Sequence, residues 1–109
     1  MGNDFDKLKT WVYFATYDGG PIKIGLTKDL NKRLRQLNTG TDKDIYYIGA
    51  VRGGYTHEKH IHHKFKHLRL KNEWFEKCGE LVDFIQLIKD KSIELPIIKE
   101  KRWALKKED

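Results

Sequence analysis

Cysteine is almost missing from this chain: Cys78 is the only one in 109 residues. A single thiol excludes an internal disulfide and a cysteine-ligated zinc site. No apolar run approaches the ~20 residues that a membrane-spanning helix needs. The opening residues MGNDFDKLKT lack the apolar stretch of a signal peptide. Asp6 breaks the pattern for N-terminal myristoylation. Internal repeats and low-complexity tracts are also missing. These absences point to a reducing, cytoplasmic setting.

What is present is charge. Charged residues make up 35% of the chain against 39% hydrophobic, and the formal net charge is +6. That balance is globular rather than disordered, and the length suits one domain with a thin core. A basic small domain is a candidate for nucleic-acid binding; a solvated lysine-rich surface is the plain alternative. The charge is clustered. Lys28, Lys32, Arg33 and Arg35 fall on one segment, and Lys59, His60, His63, Lys64, Lys66, His67, Arg69 and Lys71 on another.

The order of elements reads α+β. Residues 1–10 form a polar N-terminal arm, 11–90 the folded domain and 91–109 a basic tail in which Trp103 and Leu105 are placed to dock on the core. Trp11 to Tyr17 is rich in aromatic and β-branched residues, Asp18-Gly19-Gly20 signals a turn, and Pro21 to Leu26 returns as a second strand. Thr27 or Asp29 can cap a helix whose apolar stripe is Leu30, Leu34 and Leu37. Gly40 ends it. Ile45 to Val51 is a third strand, stopped by Gly53-Gly54. Thr56 can cap a second helix reaching about Leu68. Asn72 to Phe75 is a short extended piece, and a third helix runs from about Gly79 to Lys89. The expected sheet is therefore small, three-stranded and antiparallel, flanked by helices.

Glu58 is the clearest chemical clue. At 3.6 residues per turn it shares a helix face with Ile61, His62 and Phe65, whereas Lys59, His60, His63, Lys64 and His67 point elsewhere. A carboxylate on an apolar face must be paired, protonated or metal-bound. The alternative is a first-turn glutamate that only answers the helix dipole. Arg33 flanks the leucine stripe, either snorkelling from the core edge or presenting a planar fork of donors to a phosphate. Tyr13 is either an apolar strand residue or a phenol whose ordinary pKa near 10 a neighbouring cation must lower before it can act as a base. Lys23, on the paired strand, can supply that cation. Gly25 fits a position where a side chain would obstruct a neighbour. His62 either hydrogen-bonds the site or completes the core. His57-Glu58 begins like the zinc motif H-E-x-x-H, but residue 61 is isoleucine, so the motif fails. His60, His63 and His67 have helical spacing, but the lysines between them favour a basic surface over a metal site.

The ordered series Tyr13, then Lys23-Ile24-Gly25, Arg33, Glu58-x3-His62-x2-Phe65 and Glu73-Trp74-Phe75 resembles the GIY-YIG nuclease domain, in its phage and bacterial branch with a KIG second motif. The likeness covers about Trp11 to Ile88. The literal string Tyr47-Ile48-Gly49 is not the second motif, because a helix would then separate the two motif strands. The resemblance implies a Mg²⁺-dependent DNA endonuclease, with Mn²⁺ substituting. In it Glu58 binds the metal, Arg33 holds the scissile phosphate, and Tyr13 assisted by Lys23 deprotonates water. Gly25, His62 and Asn72 support the site, and Glu73 pairs with Arg33 or Arg69. Lys28, Lys32, Arg35, Lys59, His63 and Lys66 grip flanking phosphates. The setting implied is a bacterial cell or a phage-infected host, with a protein partner as one source of specificity. Two other readings use the same basic faces: a non-catalytic DNA-binding module, and an interaction domain for an acidic protein.

Overall fold

The side chains of Trp11–Thr16 alternate between two environments, and that alternation organises the molecule. The computed structural model describes residues 9–89; the expected arm before Lys9, and the tail with Trp103 and Leu105, lie outside the described residues. Strand β1 (Trp11–Thr16) pairs antiparallel with β2 (Ile22–Thr27), so that Tyr13 stands opposite Gly25 and Ala15 opposite Lys23. The turn between them closes through Gly20 N–H to Tyr17 C=O at 2.8 Å, with Gly19 at φ +76° where a Cβ would be strained. On its other side β1 pairs with β3 (Tyr46–Arg52).

Helix α1 (Leu30–Asn38) is capped by Asp29, whose side chain accepts from the Lys32 N–H at 3.0 Å. Its leucine stripe packs with Tyr13, Ala15, Ile45, Tyr47 and Ala50. The opposite set of side chains, Val12, Phe14, Ile22, Ile24 and Val51, forms the larger core with helices α2 (Tyr55–Lys64) and α3 (Gly79–Lys89) through Ile61, Phe65, Leu81, Ile85 and Ile88.

Two expectations are corrected. The sheet has five antiparallel strands rather than three, in the order β3-β1-β2-β5-β4, because Arg69–Lys71 (β4) and Trp74–Phe75 (β5) form a second small hairpin. All three β4 residues are exposed and β5 has only two residues, so neither carries an alternating pattern. The second helix is capped by Gly54 rather than Thr56: His57 Nδ1 accepts from the Gly54 N–H at 3.0 Å. It stops at Lys64, and the chain tightens into a 3₁₀ turn, Lys66–Leu68, that buries Leu68 before β4 begins.

Candidate functional site

Strand β5 pairs with Ile22 and Lys23 of β2, and the Glu73 carbonyl just before it accepts from the Ile24 N–H at 3.0 Å. Helix α2 meets the same edge at the Ile24 carbonyl. His62 Nε2–H donates to the Ile24 carbonyl at 2.9 Å, taking the place of a strand neighbour, and its ring meets Phe75 at 5.1 Å between centroids. His62 thus ties α2 to β2 and packs on Phe75.

One turn earlier on the same helix, Glu58 is 8% exposed, as the helical spacing predicts. Burial raises its pKa above the ordinary carboxylate value, and the charge of Glu73 raises it further; His62, Lys23 and Lys59 pull it down. Glu73 sits just before β5 with its carboxylate 3.2 Å from Lys23 Nζ. Glu58, His62 and Glu73 each bring a ligand atom within 4.8 Å of the others, the only such group among the described residues. By distance His62 belongs to it, but the proton on Nε2 is committed to Ile24, which removes that nitrogen as a ligand. Two carboxylates and water suit a hard dication of the Mg²⁺ or Mn²⁺ kind.

Glu73 is the residue that sequence reasoning undervalued. It was expected to pair with Arg33 or Arg69. It pairs with Lys23 instead, while Arg69 Nε–H donates to the Asn72 carbonyl at 2.6 Å. Asn72 itself is exposed at φ 53°, so its visible work is to turn the β4–β5 hairpin. The signal for Glu73 was its place beside that turn residue, within an otherwise packing-rich Trp-Phe motif.

Tyr13 is 1% exposed, and its ring lies directly over Gly25: a Cβ there would collide with the phenol. This is the obstruction that the glycine in β2 implied. The Tyr13 phenol is pushed up to about 12 from 10.0, chiefly by burial; Arg33 lowers it, and Glu73 and Glu58 raise it. The Lys23 ammonium, the cation expected to act on this phenol, lies 3.2 Å from the Glu73 carboxylate and over the Trp74 ring, 5.5 Å from the centroid. Burial of the Tyr13 phenol thus favours its protonated form.

Arg33 projects from α1 into the same layer. Its charge acts on both Tyr13 and Tyr47. Its Nε–H is shut off from solvent and has no hydrogen-bond acceptor among the described residues. An orphaned guanidinium donor marks a place where an anion can complete the network. Tyr47 is the ordinary third-strand aromatic expected of it. Its hydroxyl donates to the Leu30 carbonyl at 2.7 Å and ties the start of α1 to the sheet.

Around the carboxylates a cleft of about 480 Å³ is lined by Tyr55, Lys59, His63, Lys66 and Arg69 with Glu58, His62 and Glu73. It gathers three of the six expected phosphate-gripping residues. Lys28, Lys32 and Arg35 are exposed on and beside α1 and do not line it. The surface histidines do not cluster as a metal site: His67 pairs with Glu80 at 3.0 Å.

No helix among the described residues is long and apolar enough to cross a membrane. Neither the curated proteins nor the solved structures contain a match to the chain. A family model does match: that of the T5orf172 domain, over residues 10–90, and no GIY-YIG model matches. The GIY-YIG resemblance is overturned by that finding. Its motifs are strings of a few residues set by strand and helix packing, and such strings do not separate one nuclease-like domain from another, whereas a match over most of the chain does. That match supports a DNA-related role, with DNA as the partner it favours. With its matched region spanning the sheet, all three helices and the carboxylate cleft, the chain belongs to the T5orf172 domain family.

Proposed function

We propose that this domain is a metal-dependent endonuclease that hydrolyses DNA phosphodiester bonds. The observation that carries the reading is the convergence of opposite charges at one sheet edge. The buried Glu58 carboxyl lies beside a second carboxylate, Glu73, with Lys23 and the unsatisfied Arg33 donor close enough to act on the same layer of groups. Such a site is costly for folding alone, because desolvated like charges repel.

Glu58 and Glu73 would hold the dication, which supplies Lewis-acid polarisation of a phosphate oxygen. Arg33 offers planar donors to the nonbridging oxygens, and Lys23 adds a point charge once Glu73 is otherwise engaged. As water forms a new bond to phosphorus and gives up its proton to solvent, the P–O ester bond breaks, and Tyr13 donates to the oxygen that leaves with the charge. Lys59, His63, Lys66 and Arg69 hold flanking phosphates without reading sequence.

The second reading is a non-catalytic DNA-binding module. It is favoured by the Lys23–Glu73 pair and by the protonated phenol, which leave no group poised as a strong base. Incubating the chain with plasmid, single-stranded and branched DNA in Mg²⁺, Mn²⁺ or EDTA decides between them. Metal-dependent cutting supports hydrolysis. Tight binding without cutting in either metal supports the module and overturns the nuclease.

A further inference from the structure

Tyr55 is the most exposed large hydrophobic side chain among the described residues, at 64%. An isolated exposed aromatic is ordinary. Its position is what makes this one informative. It stands in the first turn of α2, one turn before Glu58, and it lines the same cleft as both carboxylates. The Lys59 ammonium lies 5.3 Å from the centre of its ring, and His63, Lys66 and Arg69 continue the basic wall. Among the described residues, its ring is spent neither on the core nor on another aromatic. It is held beside cations, at the mouth of the site where a phosphate backbone would be cut.

An aromatic face beside a line of cations is the physical recipe for holding single-stranded nucleic acid: the cations follow the phosphates and the ring stacks a base. A base inside an intact duplex has both faces covered by its neighbours, so it cannot reach such a platform without leaving the stack. We infer that Tyr55 is a base-stacking platform, and that the cleft takes single-stranded or locally unpaired DNA, seating the unpaired base next to the phosphate at Glu58. This inference rests on the nuclease reading for the word "cut". The stacking subsite itself concerns binding.

The test therefore measures binding in EDTA, where no metal-dependent cutting occurs. Fluorescence anisotropy with the full chain compares an oligothymidylate single strand, the same strand carrying abasic sites, and a duplex. Stacking of one base is worth about 1–3 kcal/mol, which is roughly a 5- to 150-fold change in Kd. Tyr55→Ala is expected to weaken single-strand binding by that factor and to leave duplex binding within about twofold. Tyr55→Phe is expected to stay near wild type. Abasic substitution is expected to bring wild type down to the Tyr55→Ala level, with no further loss in the variant. The salt slope stays the same in all three proteins, because no phosphate contact changes.

Equal losses on single strand and duplex, or a Tyr55→Ala loss that persists on the abasic strand, would overturn the stacking subsite. So would unchanged single-strand affinity in Tyr55→Ala. A wild-type chain that binds no DNA overturns the functional reading beneath this one, which keeps the two failures distinct.

Discussion

The two faces of the sheet are built from the same strands and do different work. On the α2–α3 face, Val12, Phe14, Ile22, Ile24, Phe65, Phe75, Leu81 and Ile88 are shut away from solvent, and Glu58 is the charged group buried on the same helix as Ile61. On the α1 face the buried set includes two phenols, and Arg33 presses into the same layer with an unsatisfied donor. An apolar layer stabilises in proportion to the area it buries. A layer that retains phenols and a guanidinium gives up part of that gain. The comparison teaches that one face supplies the stability that lets the other keep reactive groups. Glu58 joins them: it is carried by the apolar face's helix, yet its charge acts on Tyr13 of the polar layer.

The largest expected effect tests the stabilising face. Phe65→Ala removes a fully buried ring that packs against Phe84 at 5.2 Å between centroids. It should cost about 3–5 kcal/mol in urea unfolding. A loss below about 1 kcal/mol would break the comparison, because the larger core would then not be what holds the domain.

Next comes the residue at the junction. Glu58→Gln should lower cleavage by on the order of 100-fold or more, equivalent to about 2.7 kcal/mol of barrier. Its effect on stability should have the opposite sign. A carboxyl whose folded pKa is raised stabilises fully below its unfolded pKa and loses that contribution as pH rises through the folded value, so at neutral pH the charge is a burden. Glu58→Gln should therefore melt at or above the wild-type temperature. Mg²⁺ should raise the melting temperature of wild type and not of the variant. A variant that still cuts, or that gains the same Mg²⁺ stabilisation, would remove Glu58 from the metal site.

The third prediction concerns the polar face at high pH. Tyr13 has a folded pKa of about 12 against 10.0, and burial raises Tyr47 as well. Between pH 10 and 12 the unfolded chain loses these protons first, so stability should fall across that window. The two units at Tyr13 correspond to about 2.7 kcal/mol at most. Tyr13→Phe should flatten the alkaline decline in part. An unchanged slope would mean that Tyr13 does not feel the burial described.

The smallest effect belongs to Lys23. Its pair with the half-exposed Glu73 should contribute no more than about 1 kcal/mol, so Lys23→Met should barely move stability. DNA affinity should fall modestly, and the pH–rate profile should stay in place, since burial is the largest influence on the Tyr13 phenol. A profile displaced to higher pH would restore Lys23 as the activating cation and sharpen the polar face into a single charge relay.

Local pattern was enough for much of this. The hairpin of β1 and β2 followed from its strand residues and its Asp-Gly-Gly turn. The leucine stripe of α1 and the span of α3 followed from periodicity, and Glu58 on the inward face of α2 followed from helical spacing alone. These features depend on residues within a few positions of one another, where backbone geometry dictates which side chains share a face. The family did not follow from motif strings, which are too short to discriminate.

Tertiary structure decided the rest. That Glu73 meets Glu58, that Lys23 turns to Glu73 instead of Tyr13, and that His62 bonds Ile24 all depend on how the β4–β5 hairpin and α2 seat on the edge of β2. The hairpin strands are too short and too exposed to announce themselves by period. Charge pairing between distant segments depends on distances of a few ångströms that only packing sets. Local residue order set which chemical groups were available and on which faces they stood. Packing at one strand edge determined which of them meet.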